Sequence, residues 1–560
     1  MAGDSTGGDR RPFGKRAWLA AAAALCLAIA LFLVWQTRAQ TFYADEWAFY
    51  VRAAGFDRER LLSPHLGNLI FGTVIVYKAV LSLTGASSHL SLRLLWVCLD
   101  ITCAGLFFAL MRTRVGNFAA LVPTILLTVF GAAWEFFGGS LGITAMLCVA
   151  AGLGALLAID RRARWADGLA CLLLMVSLST LSTGLAFAAG AAALLLIQPD
   201  RWRRIWVAAI PILLYAAWAL WARKYGESGI TVQTLASVPA AIVASLASVS
   251  AALFGAFRLP GVPEPGASNL VIFANESAGT LIGAVLAGSV IWKLSRRSFE
   301  PRLIPPFAML LVYWGSLALV SPPRDPNTGR YQYAAAIFLL LLFGELWRGW
   351  RPSRGPKVAI AVLGLAALVP NAINLGYATE LVRSVSEQDR AKLAVVDALR
   401  GQFPPETVIE PPGANIGAEL VISARDYFRA SKEFGSPADS IEELPGTGIL
   451  PRQAADREFV YLLGIQAEPT PASRGRGCLT IPPGEIGSGG IRVPAAGVSI
   501  QPEGRAQVTV GLRRFSENFL KLEPLAGDGP FRVRIPADGV SKRWWMALES
   551  SRSARVCPLR

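Results

Sequence analysis

Two adjacent carboxylates, Asp45 and Glu46, are the first residues along this chain with the makings of catalysis. They stand in Thr41-Phe42-Tyr43-Ala44-Asp45-Glu46-Trp47, just past the first long apolar run. Aromatic side chains at such a boundary are ordinary interface anchors. Carboxylates are less ordinary there, because partial desolvation raises their proton affinity, and a raised pKa suits a general base. A solvated loop start beside an aromatic belt is the alternative. Downstream, Ser63-Pro64-His65-Leu66-Gly67-Asn68 places one of only two histidines between a Pro turn and an apolar stretch. That segment reads equally as a helix start capped by Ser63 and as a substrate contact at His65. Charged residues between later apolar runs include Glu135, Arg223, Lys224, Arg258, Arg324, Asp325 and Arg330, the last followed by Tyr331. Arginines at a membrane face could clamp a phosphate. Snorkelling towards lipid headgroups explains such arginines as well.

Several chemistries lack their residues. The chain has no Gly-x-x-x-x-Gly-Lys-Ser/Thr loop, no His-Glu-x-x-His and no Gly-x-Ser-x-Gly, so a nucleotide-driven motor, a zincin and a serine hydrolase of the usual kinds have no support. With two histidines and no Cys-x-x-Cys, a His-rich or thiolate metal centre is excluded and no metal-binding residue is assigned. Cys26, Cys98, Cys103, Cys148 and Cys171 lie in apolar runs and read as small buried hydrophobes. Cys478 and Cys557 are the two outside them. They bracket a polar C-terminal region, so an oxidising compartment would favour a disulfide between them.

The elements that must position these residues follow from composition. Of 560 residues, 53% are apolar and 17% charged, against about a quarter charged in soluble domains. Runs long enough for a bilayer recur, near 17–36, 91–111, 117–133, 140–159, 168–182, 184–198, 205–222, 276–294, 304–320, 331–347 and 357–376. The net charge of +15 lies in short basic patches between alternate runs, which is the positive-inside pattern and not a nucleic-acid footprint. Placing these patches inside gives about eleven transmembrane helices, a cytoplasmic N-terminus and an outer C-terminus. Residues 66–84 and 236–257 would invert that order if they crossed, so they read as interfacial or re-entrant helices on the outer face.

The fold expected is a multipass α-helical membrane protein with a C-terminal extracytoplasmic domain, mixed α/β to β-sandwich-like. Residues 1–376 form the membrane part, with a long first outer loop at 37–90. Residues 377–475 form a mixed α/β region that opens with an amphipathic helix over 378–400. Residues 476–560, with short alternating runs and turn residues, form a small antiparallel β-domain.

Together these features resemble the GT-C superfamily of integral-membrane glycosyltransferases, whose members use polyprenyl-phosphate sugars. The resemblance rests on Asp45-Glu46-Trp47 in a long first outer loop, on Pro64-His65 before an interfacial helix, on Arg330-Tyr331 opening a late helix, and on the appended outer domain. It implies a transferase in a bacterial, actinobacterial-type cell membrane that moves a hexosyl or pentosyl unit. The donor is a polyprenyl-phosphate sugar and the acceptor an extracytoplasmic glycan, lipid or protein of the cell envelope. Asp45 becomes the general base, with Phe42, Tyr43 and Trp47 shielding it and raising its pKa. Glu46 becomes a helper, while His65, Glu135, Arg258, Arg324, Arg330 and Tyr331 become substrate contacts. Glu135 stands where several relatives carry a second acidic residue, so participation of a divalent cation stays open. No covalent intermediate is needed, which implies inversion at the anomeric carbon.

Two other readings remain at this level. One is a non-catalytic envelope protein whose Trp544-Trp545 stacks on glycan. The other is a lipid or sugar transporter, for which Asp100 is the acidic residue deep in an apolar run.

Overall fold

The computed structural model describes residues 15–137, 142–226, 231–256, 269–296, 300–319, 324–409, 422–471, 477–484, 490–527 and 529–559. The chain is mostly helical up to residue 398 and carries a β-sheet region at its C-terminus.

Among the described residues six helices are long and apolar enough to cross a membrane: Leu90–Val115, Gly142–Asp160, Trp206–Tyr225, Val232–Leu253, Pro301–Leu319 and Arg354–Ala398. The remaining apolar runs are helical too, two of them within the long helices Lys15–Gln36 and Asn269–Arg296 and others shorter. Gly184–Leu196, for example, has 13 residues, about 20 Å of helix against a hydrocarbon core of about 30 Å. The 66–84 stretch becomes a helix only from Phe71 to Thr84, about 21 Å and too short to cross by itself. Val232–Leu253 has 22 residues and qualifies on length, where the sequence suggested a helix on the outer face.

The bundle is tied at both ends by charged side chains. At one end Arg204 grips Asp167, with Nε at 3.0 Å from Oδ1, and Arg114 and Arg348 both pair with Glu345. The other end holds the helices Asp45–Ala53, Arg58–Leu62 and Phe71–Thr84. These lie between the bundle and the C-terminal region. Trp47 Nε1 donates to Asp389 Oδ2 at 3.2 Å, the Tyr50 hydroxyl to the Gly435 carbonyl at 2.8 Å, and Lys78 pairs with Glu433 at 2.9 Å.

One helix links the two regions. Arg354–Ala398 runs for 45 residues, about 68 Å, straight through the change in composition at 376–377. A drop in hydropathy is no helix stop: Gly376 stays helical, with only the Gln36 side chain near it. Gln36 and Gln40, at the end of Lys15–Gln36 and just beyond it, both donate to Thr379 of this helix, at 2.8 and 3.3 Å.

Beyond it come a two-stranded pairing, Val408–Ile409 with Ile422–Ser423, the helices Ala424–Phe434 and Ile449–Leu462, and two five-stranded sheets. One sheet runs Ala467–Pro469, Phe531–Val533, Val498–Pro502, Ala554–Pro558, Leu479–Ile481. The other runs Ile491–Arg492, Trp545–Ser550, Ala506–Arg513, Leu520–Lys521, with Leu525–Gly527 also on Ala506–Arg513. Every pairing is antiparallel. Alternation drives it: in Ala506–Arg513, Val508, Val510 and Leu512 are fully buried and packed with Met546, Ile500 and Val556. Asp456 fastens the helix Ile449–Leu462 to this region, accepting from the backbone N–H of Arg514, Phe515 and Ser516 at 2.8–3.0 Å. Cys478 and Cys557 are joined in a disulfide. Trp544 and Trp545 form no common stacking platform. Trp544 is buried against Phe459 and Arg514, while its strand neighbour, 41% exposed, is turned away by the period-two alternation.

Candidate active site

Asp45 is the first residue of the helix Asp45–Ala53 and follows Ala44, which has φ 45° and ψ −116°. An alanine at positive φ is sterically costly. Glu46 helps hold it there: its carboxylate accepts the Tyr43 N–H at 3.1 Å, the Tyr77 hydroxyl at 2.5 Å and His89 Nε2 at 3.3 Å. Those bonds turn Glu46 to one side of the helix start and leave Asp45 on the other. There His65 Nε2 lies 3.1 Å from Asp45 Oδ1. Each of the two histidines therefore pairs with a different member of the acidic doublet.

His65 sits in a tight turn, with backbone hydrogen bonds in both directions to Asn68 at 2.9 and 3.0 Å. Leu66 at φ 48° and Gly67 at φ 78° make it a type I′ turn. Arg52, at the far end of the same helix as Asp45, donates to the carbonyls of Ser63 and Pro64 at 3.0 and 3.1 Å. Asn68 Oδ1 accepts from Ser182 N at 3.2 Å, and Arg324 reaches the Leu66 carbonyl at 3.3 Å. Ser63 closes the preceding helix Arg58–Leu62 and does not open the next, which begins at Phe71.

Asp45, His65, Arg324, Arg330 and Tyr331 all line one cavity of about 430 Å³. Arg330 opens the helix Gly329–Leu346, its backbone N–H 3.3 Å from Glu135 Oε1 and its Nε 2.7 Å from Glu135 Oε2. Glu135 thus reaches the site through Arg330. Glu46 faces away, into a void of about 30 Å³ beside His89, Arg93 and Trp96. Arg258 lies outside the described residues.

The sequence reading missed part of the wall. Tyr215, Trp218, Ala219 and Ala222 face the cavity from the helix Trp206–Ala222, at the helical spacing of one face. Inside an apolar run that face is indistinguishable from the lipid-facing one. Ser182 and Thr183, where the helix Gly184–Leu196 begins, were missed for the same reason. The partnering of His89 left a usable signal, since both histidines fall within the first outer loop.

The charges at Asp45 differ from the expectation of a raised pKa. Burial does push its carboxyl up. The His65 hydrogen bond and the charges of His65, Arg330 and Arg324 together outweigh burial, so the carboxyl stands below its ordinary value. Glu135 behaves in the opposite way: burial holds it above the ordinary value despite the Arg330 guanidinium. Burial, then the nearby Glu135 and Asp389 carboxylates, raise the Tyr43 hydroxyl. Among the described residues no cluster of three or more His, Cys, Asp or Glu could hold a metal ion, and Asp45 and Glu46 face different cavities. Asp100 is fully buried, 3.5 Å from the Tyr333 hydroxyl that donates to it.

No protein-family model matches the chain, and no curated protein matches it. Among solved structures it is similar to ArnT from Cupriavidus metallidurans bound to undecaprenyl phosphate, with 13% identity and a TM-score of 0.43 over 76% of this chain and 86% of that one. It is also similar to the archaeal oligosaccharyltransferase AglB from Archaeoglobus fulgidus in complex with an inhibitory peptide and a dolichol-phosphate, with 13% identity and a TM-score of 0.41 over 76% of this chain and 64% of that one. The apo form of an A. fulgidus oligosaccharyltransferase gives 10% identity and a TM-score of 0.41 over 97% of this chain and 98% of that one. At these identities and TM-scores the likeness says nothing about the chemistry of the cavity, which its own side chains must carry.

Proposed function

We propose that this chain is an integral-membrane glycosyltransferase of the GT-C kind. It transfers a sugar from a polyprenyl-phosphate donor to an extracytoplasmic glycan, lipid or protein acceptor, with inversion. The supporting observation is that an acid–base pair, Asp45 with His65, and three guanidinium groups, Arg223, Arg324 and Arg330, line one cavity. The rest of its wall is largely apolar: Leu181, Leu185, Tyr215, Trp218, Tyr313 and Leu317.

Each half of the reaction has a counterpart there. The acceptor hydroxyl attacks the anomeric carbon and loses its proton to the Asp45–His65 pair. The bond from that carbon to the phosphate oxygen breaks, and the electron pair leaves with the phosphate. Arg324 and Arg330 meet the charge that develops, together with the N-terminal dipole of the helix Gly329–Leu346. The polyprenyl chain lies along the aromatic face of the helix Trp206–Ala222. In this reading the helix Asp45–Ala53 and the C-terminal region lie outside a bacterial cell membrane and the N-terminus lies in the cytoplasm.

The test is acceptor-dependent release of polyprenyl phosphate by the purified full chain, offered a panel of polyprenyl-phosphate sugars and envelope glycans. Asp45→Asn keeps the shape and should lower turnover by about 10²–10⁴. If both Asp45→Asn and Glu46→Gln turn over at the wild-type rate, this mechanism is wrong.

A further inference from the structure

The Asp45–His65 contact leaves open which atom receives the acceptor's proton. We infer that it is Nδ1 of His65, and that Asp45 is a positioning residue that stays ionised throughout. This inference rests on the transferase reading above.

The hydrogen bond sets the tautomer. A histidine that donates Nε2–H to a carboxylate carries its lone pair on Nδ1. His65 Nε2 is the atom next to Asp45 Oδ1, so Nδ1 is the basic nitrogen. The His65 side chain is 17% exposed and lines the same cavity as Arg324 and Arg330. The edge-on ring of Phe49, with centroids 5.7 Å apart, limits how the imidazole can tilt.

The backbone around His65 is held far more firmly than an ordinary surface turn. Arg52, Asn68 and Arg324 all bind carbonyls between Ser63 and Leu66. The turn also forces Leu66 to positive φ, and Ala44 beside Asp45 is forced there too. Among the described residues only one other non-glycine, Arg162, has positive φ. Two costly conformations thus flank the two members of one hydrogen-bonded pair, the kind of local strain that gathers at functional sites.

The electrostatics agree with this division of roles. A carboxylate held below its ordinary pKa is a weak base but a good permanent anion. It can stabilise the imidazolium formed when Nδ1 takes the proton, as the carboxylate does in Ser-His-Asp hydrolases. The step balances. The acceptor O–H proton goes to Nδ1, its oxygen bonds the anomeric carbon, and the phosphate leaves with the electron pair. His65 then returns the proton to the departing phosphate or to water.

The experiment compares His65→Gln, His65→Ala and Asp45→Asn in the full-length protein, each with a melting curve, and adds free imidazole to His65→Ala. Gln can still donate to Asp45 but offers no basic nitrogen. We expect His65→Gln to be folded and to lose about 10²–10⁴ in kcat with little change in donor KM. Imidazole should restore His65→Ala saturably, by tenfold or more. If His65→Gln keeps wild-type kcat while Asp45→Asn is inactive, Asp45 is the base and this inference falls, with the transferase reading intact. A rise in donor KM at unchanged kcat would make His65 a binding residue only, and folded His65→Ala without imidazole rescue would also overturn the assignment. Wild-type turnover in all three variants would overturn the roles of both residues, whereas no acceptor-dependent release of polyprenyl phosphate by the wild-type chain would sink the transferase reading itself.

Discussion

At Asp45, burial and charge pull in opposite directions and charge wins, with a consequence for stability as well as for chemistry. Its folded-state carboxyl lies below the ordinary value, which is about 3.9 in an unfolded chain. Such a group stabilises the fold at pH above the unfolded value, and that contribution is lost as pH falls through the folded one. Asp45→Asn should therefore melt at a lower temperature than wild type at pH 7, and the gap should close on acidification below about pH 4. A gap that stays constant between pH 7 and pH 3 would show that His65 and the arginines do not hold this carboxylate. Two arginines can be separated at the same scale. Arg330 is tied to the buried Glu135, whereas the bond from Arg324 is to the Leu66 carbonyl. Arg330→Ala should weaken donor use and also lower the melting temperature, because it strands a buried carboxylate. Arg324→Ala should weaken donor use with little change in melting. Unchanged donor and acceptor kinetics in Arg330→Ala would reduce that residue to a structural partner of Glu135.

Among the elements, the long helix Arg354–Ala398 packs backbone to backbone against the turn Gly131–Ala133. A Cβ on Gly131 would collide with the Asn371 carbonyl and the Leu375 backbone nitrogen. Asn371 binds that turn directly, its Oδ1 accepting from Ala132 N at 3.3 Å, while its Nδ2 donates to the Ala252 carbonyl at 3.2 Å. Backbone cannot move aside as a side chain can, so Gly131→Ala should cost about 1–3 kcal/mol or more as overpacking. It should also disturb Glu135, four residues on, and with it Arg330. Gly105→Ala, in another helix with open space around it, is the control and should melt like wild type. Equal melting of the two variants would mean that the helix does not rest on this turn. Hydropathy falls at 376–377. The helix crosses that point because no proline or left-handed glycine stands there to stop it.

For the molecule as a whole, the outer-loop helices are clasped between the bundle and the C-terminal region, so the site depends on how firmly that region is folded. Cys478 precedes the strand Leu479–Ile481, and Cys557 lies on its partner Ala554–Pro558. The bond closes 79 residues of chain. The chain-entropy model gives such a loop about 4 kcal/mol. Cys478→Ser should lower the melting temperature of the C-terminal region, and a thiol reductant should have the same effect on wild type but none on the variant. Both thiols found alkylated under non-reducing conditions would refute the bond.

The sequence alone determined the helical membrane character and the alternating β-region, and it singled out Asp45 and Glu46 as candidates for the site. Apolar runs, period-two alternation and an acidic doublet after the first run are local features, readable without knowing what packs where. It also marked His65, Arg324, Arg330 and Tyr331, because polar residues are rare between apolar runs. Tertiary structure alone decided how they are used. That Asp45 and Glu46 face opposite ways follows from Tyr77 and His89 capturing Glu46. That His65 meets Asp45 depends on Arg52 and a strained turn. That the Asp45 carboxyl falls where shielding alone would raise it depends on charges brought in from residues 324 and 330. Local pattern records which side chains are buried. Hydrogen-bond partners tens of residues away and charges hundreds of residues away set the balance at a buried carboxyl, and only the folded chain brings those together.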